Sequence, residues 1–231
     1  MWSLFDRFLG SLSRCRLCGT AAHDTLCPAC RDELPIIPHA CRQCGLPLQG
    51  EDEKRLCGEC LSRPPAFDAA RIPFLYADPI DRLISALKFH ERLSDGRLLG
   101  SLLAATLPQT AEIDLLLPIP LHRGRLRQRG FNQAAELART LARVAHLPAD
   151  YRALVRVQAT APQHRATRRQ RLRQMREAFA WRGNGPPPPR VALVDDVVTT
   201  GATMDAAAAC LKRAGAEWVE IWAVARTPRR D

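Results

Sequence analysis

Apolar residues recur along this chain with two different periods, and each change of period marks where a strand gives way to a helix. Val191 to Val194 is a continuous β-branched and apolar run, the pattern of a strand buried on both faces, and after Gly201 the spacing turns helical. Ile113 to Leu117 predicts a second buried strand, Ala70 to Tyr76 a third, Ala153 to Val157 a short one, and Glu217 to Val224 a closing one. Between them, Ile80, Leu83, Ile84 and Leu87 share a helical face that leads to Lys88, Phe89 and His90. Leu98 to Leu107 predicts another helix, and Asn132 to Ala145 an amphipathic one capped by Asn132. Strands alternating with helices imply an α/β fold: a mostly parallel, doubly wound sheet that binds ligands beyond the carboxyl ends of its strands.

The N-terminal part breaks this rhythm. Eight of the nine cysteines form four CxxC pairs: Cys15/Cys18, Cys27/Cys30, Cys41/Cys44 and Cys57/Cys60. Two residues between thiolates let a tight turn aim both sulfurs at one ion, and two such knuckles complete a tetrahedral zinc site. Gly19 and Gly45 follow the first and third pairs, where such a turn asks for positive φ. Two structural zinc ions are expected, because full thiolate sets leave no open coordination position; His23 and His39 lie nearby but are not needed. Sequential pairing closes the shorter loops, and an interleaved pairing is the alternative. A disulfide framework or a redox CxxC is the other reading, which four such repeats without an export signal disfavour. Cys210 reads as a buried thiol in a helix.

The opening MWSLFDRFLG lacks a basic region followed by an apolar block, so it is not read as a secretory signal. Trp2, Phe5, Phe8, Leu9 and Leu12 instead mark one face of a short helix, expected to pack on the zinc module, with a membrane or partner contact as the alternative. The SRPPAFD stretch divides the chain into a helix and double zinc ribbon over 1–62 and a second domain over 63–231. A formal charge of +10 and a pI near 9.6 come almost entirely from arginine, since lysine occurs only at Lys54, Lys88 and Lys212. Arginine's planar fork suits a polyphosphate or a nucleic-acid backbone, although GC-rich coding also produces Ala- and Arg-rich chains. No run approaches the roughly 20 apolar residues that span a bilayer, so a soluble, cytoplasmic protein without membrane insertion is expected.

Candidate chemistry gathers where predicted strands end. In VALVDDVVTTGAT two carboxylates close the apolar run and a hydroxyl-rich turn leads into a helix. Backbone N–H groups and the helix dipole favour an anion there, Thr199, Thr200 and Thr203 add hydroxyls, and Gly201 permits close approach. Asp195 and Asp196 can accept hydrogen bonds from vicinal ribose hydroxyls. This segment resembles the phosphoribosyl diphosphate (PRPP) binding motif of type I phosphoribosyltransferases. The resemblance implies a catalytic role for Asp195 and Asp196 on the ribose hydroxyls, within a PRPP site of Val194, Asp195, Asp196, Val197, Thr199, Thr200, Gly201, Ala202 and Thr203. It also implies Mg²⁺ bound with PRPP.

The second strand end, PIPLHRGRLRQRGFNQ, is stiffened by Pro118 and Pro120 and carries alternating arginines, which also fits a solvated loop. In those transferases the corresponding loop binds pyrophosphate, which points to His122, Arg123, Arg125 and Arg129 within Ile119 to Arg129. Ala161 to Phe179 is basic with few apolar anchors. By the same resemblance it is a flexible loop that closes over PRPP, with Gln163 and Arg171 as its candidate residues; an exposed basic helix is the alternative. GNGPPPPR follows as a stiff turn.

Over its full length the chain resembles the ComF family (ComF/GntX-like): a double zinc ribbon, an ALKF-like segment at Ala86 to Phe89, PIPLHRxRxRxRGFNQ, a QxxxTRxxR-like stretch and VDDVVTTGAT. It departs at Ala166, Gln170 and Gln174, where the family often carries Leu, Glu and Asn. The resemblance implies a Mg²⁺-dependent phosphoribosyltransferase linked to DNA uptake in naturally transformable bacteria. The rival reading is a PRPP-sensing or single-stranded DNA-binding protein, and the ribbons could also form an assembly surface for helicase-type competence partners.

Overall fold

The computed structural model describes residues 13–50, 55–90, 92–108, 112–157 and 178–228. The expected N-terminal helix and the basic loop bearing Gln163 and Arg171 lie outside the described residues. The metal-binding part contributes a small antiparallel pair, β1 (Ser13–Arg14) and β2 (Ala21–Ala22), and two one-turn helices, α1 (Pro28–Asp32) and α2 (Gly58–Ser62). Then follow β3 (Ala69–Arg71), β4 (Phe74–Leu75), α3 (Ile80–His90), α4 (Leu93–Ala104), β5 (Leu115–Pro118), α5 (Arg123–Arg129) and α6 (Gln133–Ala145). The chain goes on through β6 (Leu154–Arg156), β7 (Phe179–Trp181), β8 (Arg190–Val198), α7 (Ala202–Ala214) and β9 (Trp218–Arg226).

The central sheet runs β3-β9-β8-β5, with β4 also on β9, and every pairing in it is parallel. A parallel sheet needs cover on both faces, and the period of two along its strands supplies the means. Ala192, Val194, Trp222 and Val224 face α3, α4 and α6, among Leu83, Leu87, Leu99, Leu137 and Leu141. Val191, Leu193, Val219, Ile221 and Ala223 face α7, among Met204, Ala207 and Leu211. The α/β class with a doubly wound, mostly parallel sheet is therefore the observed one.

Several expectations change in detail. The strand expected over Ala70 to Tyr76 is split into β3 and β4 around Pro73, which has no N–H to donate to the ladder. The helix expected from Leu98 begins at Leu93; the polar and glycine positions Asp95 and Gly96 hide its first turns, yet both are buried. The arginine-rich stretch read as a loop is the helix α5, capped by His122, whose Nδ1 accepts from the Gly124 N–H at 3.2 Å, and ended by Gly130 at φ +78°. The strand expected over Val191 to Val194 runs on through the two acids to Val198, because β9 continues to pair alongside them through Val198↔Arg226. The expected short strand is present as β6, but it pairs antiparallel with β7 in a sheet of its own. Asn132 caps α6 as expected, accepting from the Ala134 N–H at 3.2 Å.

Candidate functional site

The eight paired cysteines gather sequentially into two groups, Cys15, Cys18, Cys27, Cys30 and Cys41, Cys44, Cys57, Cys60, each with its sulfurs within 4.8 Å of one another. Knuckle geometry explains this: the Gly19 N–H donates to the Cys15 carbonyl at 2.9 Å and the Gly45 N–H to the Cys41 carbonyl at 2.8 Å, with φ of +77° and +69° at the two glycines. Sulfurs on a tetrahedral zinc ion with bonds of ~2.3 Å stand about 3.8 Å apart. Cys18 and Cys27 sulfurs are 3.6 Å apart and those of Cys44 and Cys57 3.7 Å, so both donor sets fit structural zinc. Cys210 is buried on α7, and burial pushes its thiol up, as an inert core cysteine requires.

The strand-end chemistry lies at a reversal in strand order. Beyond β5 the chain passes through α6 to the far side, where Ala149 bridges in parallel to Leu116; after β8 it passes through α7 to β9 on the near side. Ligands of open α/β sheets bind in the crevice at such a point. β5 ends at Pro118, opposite Val194, so β8 projects past it and carries Asp195 and Asp196 along one open flank.

Asp196 is only 6% exposed and pairs with Lys88 at the end of α3, Nζ to Oδ2 at 2.9 Å. Asp195 accepts the Asp196 N–H at 2.9 Å. Burial first, and then the charge of Asp196, push the Asp195 carboxyl up to about 8, while Lys88 and Arg156 act the other way. Thr199 and Thr200 are exposed, and Gly201 at φ +77° turns the chain into α7, where the Ala202 N–H donates to Thr200 Oγ1 at 3.4 Å. Thr203 and Ala202 are half-buried in the first turn.

Arginines surround this end of the sheet. Arg125 and Arg129 line a cleft of about 470 Å³ with Lys88, Phe89 and Gln128. Arg129 lies over the Phe89 ring at 5.7 Å and donates to Gln133 Oε1 at 2.9 Å. A second cleft of about 580 Å³ is lined by His122, Tyr151, Arg152, Arg156 and Arg182, among others. The backbone of Arg123 opens α5. The candidates after β5 and those after β8 are thus brought to one end of one sheet, with Lys88 between them.

Two site residues carry little signal in the sequence. Lys88 appears there at the end of a helical face and within the ALKF-like segment, with no sign that it reaches the acids. Arg226, at the end of β9, is 7% exposed; its Nη1 donates to the carbonyls of Val198 at 3.1 Å, Thr227 at 3.0 Å and Thr199, and its Nε to that of Cys44 at 3.2 Å. A charge ending the apolar run Ile221 to Ala225 is its only mark.

Fold and donor sets together define a double-zinc-ribbon protein whose parallel α/β domain carries an acid pair and a threonine-glycine turn at its strand-order reversal. The double zinc ribbon domain family matches residues 6–61. Competence protein F of Haemophilus influenzae is 33% identical over 213 residues, 89% of this chain and 92% of that protein. DNA utilization protein YhgH of Escherichia coli O157:H7 is 34% identical over 220 residues, 92% of this chain and 95% of that protein. The chain belongs to the competence protein F (ComF) family. Among solved structures, the allosteric regulatory enzyme of purine biosynthesis aligns with a TM-score of 0.41 and 21% identity, over 57% of this chain and 25% of that one. No helix among the described residues is long and apolar enough to cross a membrane.

Proposed function

We propose that the β5–β8 crevice binds Mg²⁺-complexed PRPP and transfers its phosphoribosyl group to an acceptor. The observation that carries this reading is the convergence of an acid pair, an outward hydroxyl-rich turn at a 13-residue helix and the arginines of α5 on one strand-order reversal. In this reading Asp195 and Asp196 hold the ribose 2′ and 3′ hydroxyls. The Val197 backbone leads into the turn, and Thr199, Thr200, Gly201, Ala202 and Thr203 hold the 5′-phosphate through N–H and hydroxyl donors. Arg125 and Arg129, with His122 and Arg123, neutralise the departing pyrophosphate while positive charge develops at C1′ of the ribose. The crevice suits Mg²⁺, a hard cation usually bound by one or two carboxylates together with substrate phosphates. Burial first, and then the charge of Asp196, raise the Asp195 carboxyl, and a cation brought beside the pair would act the other way, as Lys88 does. Bound with PRPP, Mg²⁺ supplies charge neutralisation at the phosphate oxygens.

Lys88 has a defined part in this scheme. It neutralises Asp196 in the free protein and also lines the Arg125–Arg129 cleft, so its ammonium can turn towards a pyrophosphate when the ribose engages the acids. The test is calorimetry with Mg-PRPP. Asp196→Ala should weaken binding about a hundredfold or more, as expected for lost charge-assisted hydrogen bonds, with the fold retained by circular dichroism. Unchanged affinity would refute the site.

A second reading draws on the +10 charge, on the exposed Arg125 and Arg127 of α5, and on relatives named for competence and DNA utilization. It makes this chain a single-stranded DNA-binding protein. Affinity for an oligonucleotide should then fall steeply with salt. Release of pyrophosphate from PRPP in the presence of candidate nucleobases separates the two readings.

A further inference from the structure

One side chain spans the Cys41–Cys44 knuckle of the second ribbon and the turn at the head of α7. Arg226 Nε takes the Cys44 carbonyl at 3.2 Å, and Nη1 takes those of Val198 at 3.1 Å and of Thr199, the last residue of β8 and the first of the turn. The knuckle itself cannot slide. The Arg42 carbonyl accepts from the Ala70 N–H at 3.0 Å, and Gln43 Nε2 donates to the Phe67 carbonyl at 3.2 Å. At Gly45 an added Cβ would meet Ile72 Cδ1 at 2.7 Å. Three consecutive knuckle residues are thus hydrogen-bonded to the α/β domain, and the third bond ends on a guanidinium whose planar fork leaves little play. Cys44 is meanwhile one of four thiols closed around a single metal position.

We infer that Arg226 is a positioning residue that couples metal occupancy of the second ribbon to the geometry of the Thr199–Thr203 turn. With zinc bound, the Cys44 carbonyl is fixed, the guanidinium is fixed in turn, and the Val198 and Thr199 carbonyls are held on the protein side so that the donors of the turn face outward. Without zinc the knuckle relaxes, the guanidinium loses one end of its span, and the turn loses its preset form. The first ribbon has no part in this coupling, being tied to α4 through Arg16 and Asp95. The inference rests on the reading of the turn as a phosphate site, but the coupling also has a ligand-independent readout.

The experiment uses the full chain as wild type, Cys57→Ser, Cys27→Ser and Arg226→Lys. Zinc content is measured by mass spectrometry, hydrogen exchange of the 199–203 amides without ligand, and Kd for Mg-PRPP by calorimetry. Cys57→Ser and Arg226→Lys should each speed exchange at the turn and raise Kd about tenfold or more, the scale of hydrogen bonds to a charged group. Arg226→Lys should keep both zinc ions. Cys27→Ser should lose one ion yet leave turn exchange and Kd within about twofold of wild type. Unchanged turn exchange in Cys57→Ser, or equal effects of the two cysteine variants, overturns the coupling. Should Cys57→Ser fail to fold, Arg226→Lys and wild type stripped of zinc by a chelator decide the matter by the same turn exchange. A wild type that ignores Mg-PRPP refutes the phosphate reading, and turn exchange then still decides the coupling.

Discussion

The two ribbons share a four-thiol plan and are attached to the same domain by different forces. In the first, Cys15, Ala22, Leu26, Cys30 and Leu34 join the main apolar cluster beside α3 and α4. A long-range ion pair runs from its knuckle residue Arg16 to Asp95, at 2.6 and 2.8 Å, and Asp95 is fully buried. The second ribbon keeps a small cluster of its own, Cys41, Leu46, Cys57 and Cys60, and meets the domain through a row of directional hydrogen bonds from Arg42, Gln43 and Cys44. Apolar burial is non-directional and stabilises contact without defining position, whereas hydrogen bonds set position to within tenths of an ångström. The first ribbon therefore combines broad apolar burial with one bidentate ion pair, whereas the second is placed chiefly by its row of hydrogen bonds.

This contrast makes Arg16→Ala the most costly of the changes considered. It strands the buried Asp95 carboxylate and should cost about 3 kcal/mol in denaturant unfolding, with turn exchange unchanged. Adding Asp95→Asn should recover a large part, because an amide is far cheaper to bury than an unpaired charge. A loss below about 1 kcal/mol would show that the first ribbon is held by apolar contact alone.

Next come the knuckle glycines. Gly45→Ala combines a left-handed backbone with a 2.7 Å clash on Ile72, and should cost about 2 kcal/mol and disturb the turn. Gly19→Ala carries the left-handed cost only, with nothing within 4 Å of the added Cβ, and should cost about 1 kcal/mol. Equal costs would contradict the tighter seating of the Cys41–Cys44 knuckle.

A change in the acid pair at the end of β8 that leaves both metal centres alone supplies the control. Asp195 rises from an ordinary 3.8 to about 8, so the folded state holds its proton more tightly than the unfolded state. Stability must then fall as pH climbs between those values, since the unfolded chain binds fewer protons there. Asp195→Asn removes that penalty. It should melt a few degrees above wild type at pH 8, with the gap closing towards pH 4 and zinc content unaltered. The smallest effect belongs to Arg31→Ala on the first ribbon, whose 3.3 Å pair with Asp24 is well exposed; unfolding should change by less than about 0.5 kcal/mol.

Local chemistry was legible to different depths. The CxxC pairs announced the four knuckles, since a knuckle is a property of five or six adjacent residues, while the fold decided that they join sequentially; Asn132 declared its capping role because its partner lies two residues away. The α5 helix was not legible: RGRLRQR has almost no apolar positions, so its period carries no signal. Its helix depends on caps at His122 and Gly130. The extent of β8 was hidden for another reason. Asp195 and Asp196 are poor strand formers on their own, and only the neighbouring β9 keeps them in the ladder.

Side chains that act across the fold were invisible one by one. Asp95 lies ahead of the helix expected from Leu98 and nothing in the sequence marks it as buried, while its partner is 79 residues away; Arg226 reaches a carbonyl 182 residues away. Neighbouring residues alone specify the short-range devices, namely the thiol knuckles, the buried strands, the acid pair and the hydroxyl turn, and these could be read directly from the chain. Folding in three dimensions was needed to bring Lys88 to Asp196, to set the arginines of α5 in the same cleft, and to let one guanidinium join a metal ligand to the turn. Those pairings arise when the parallel sheet closes and its helices pack, and no local pattern encodes the distance between groups that meet only then.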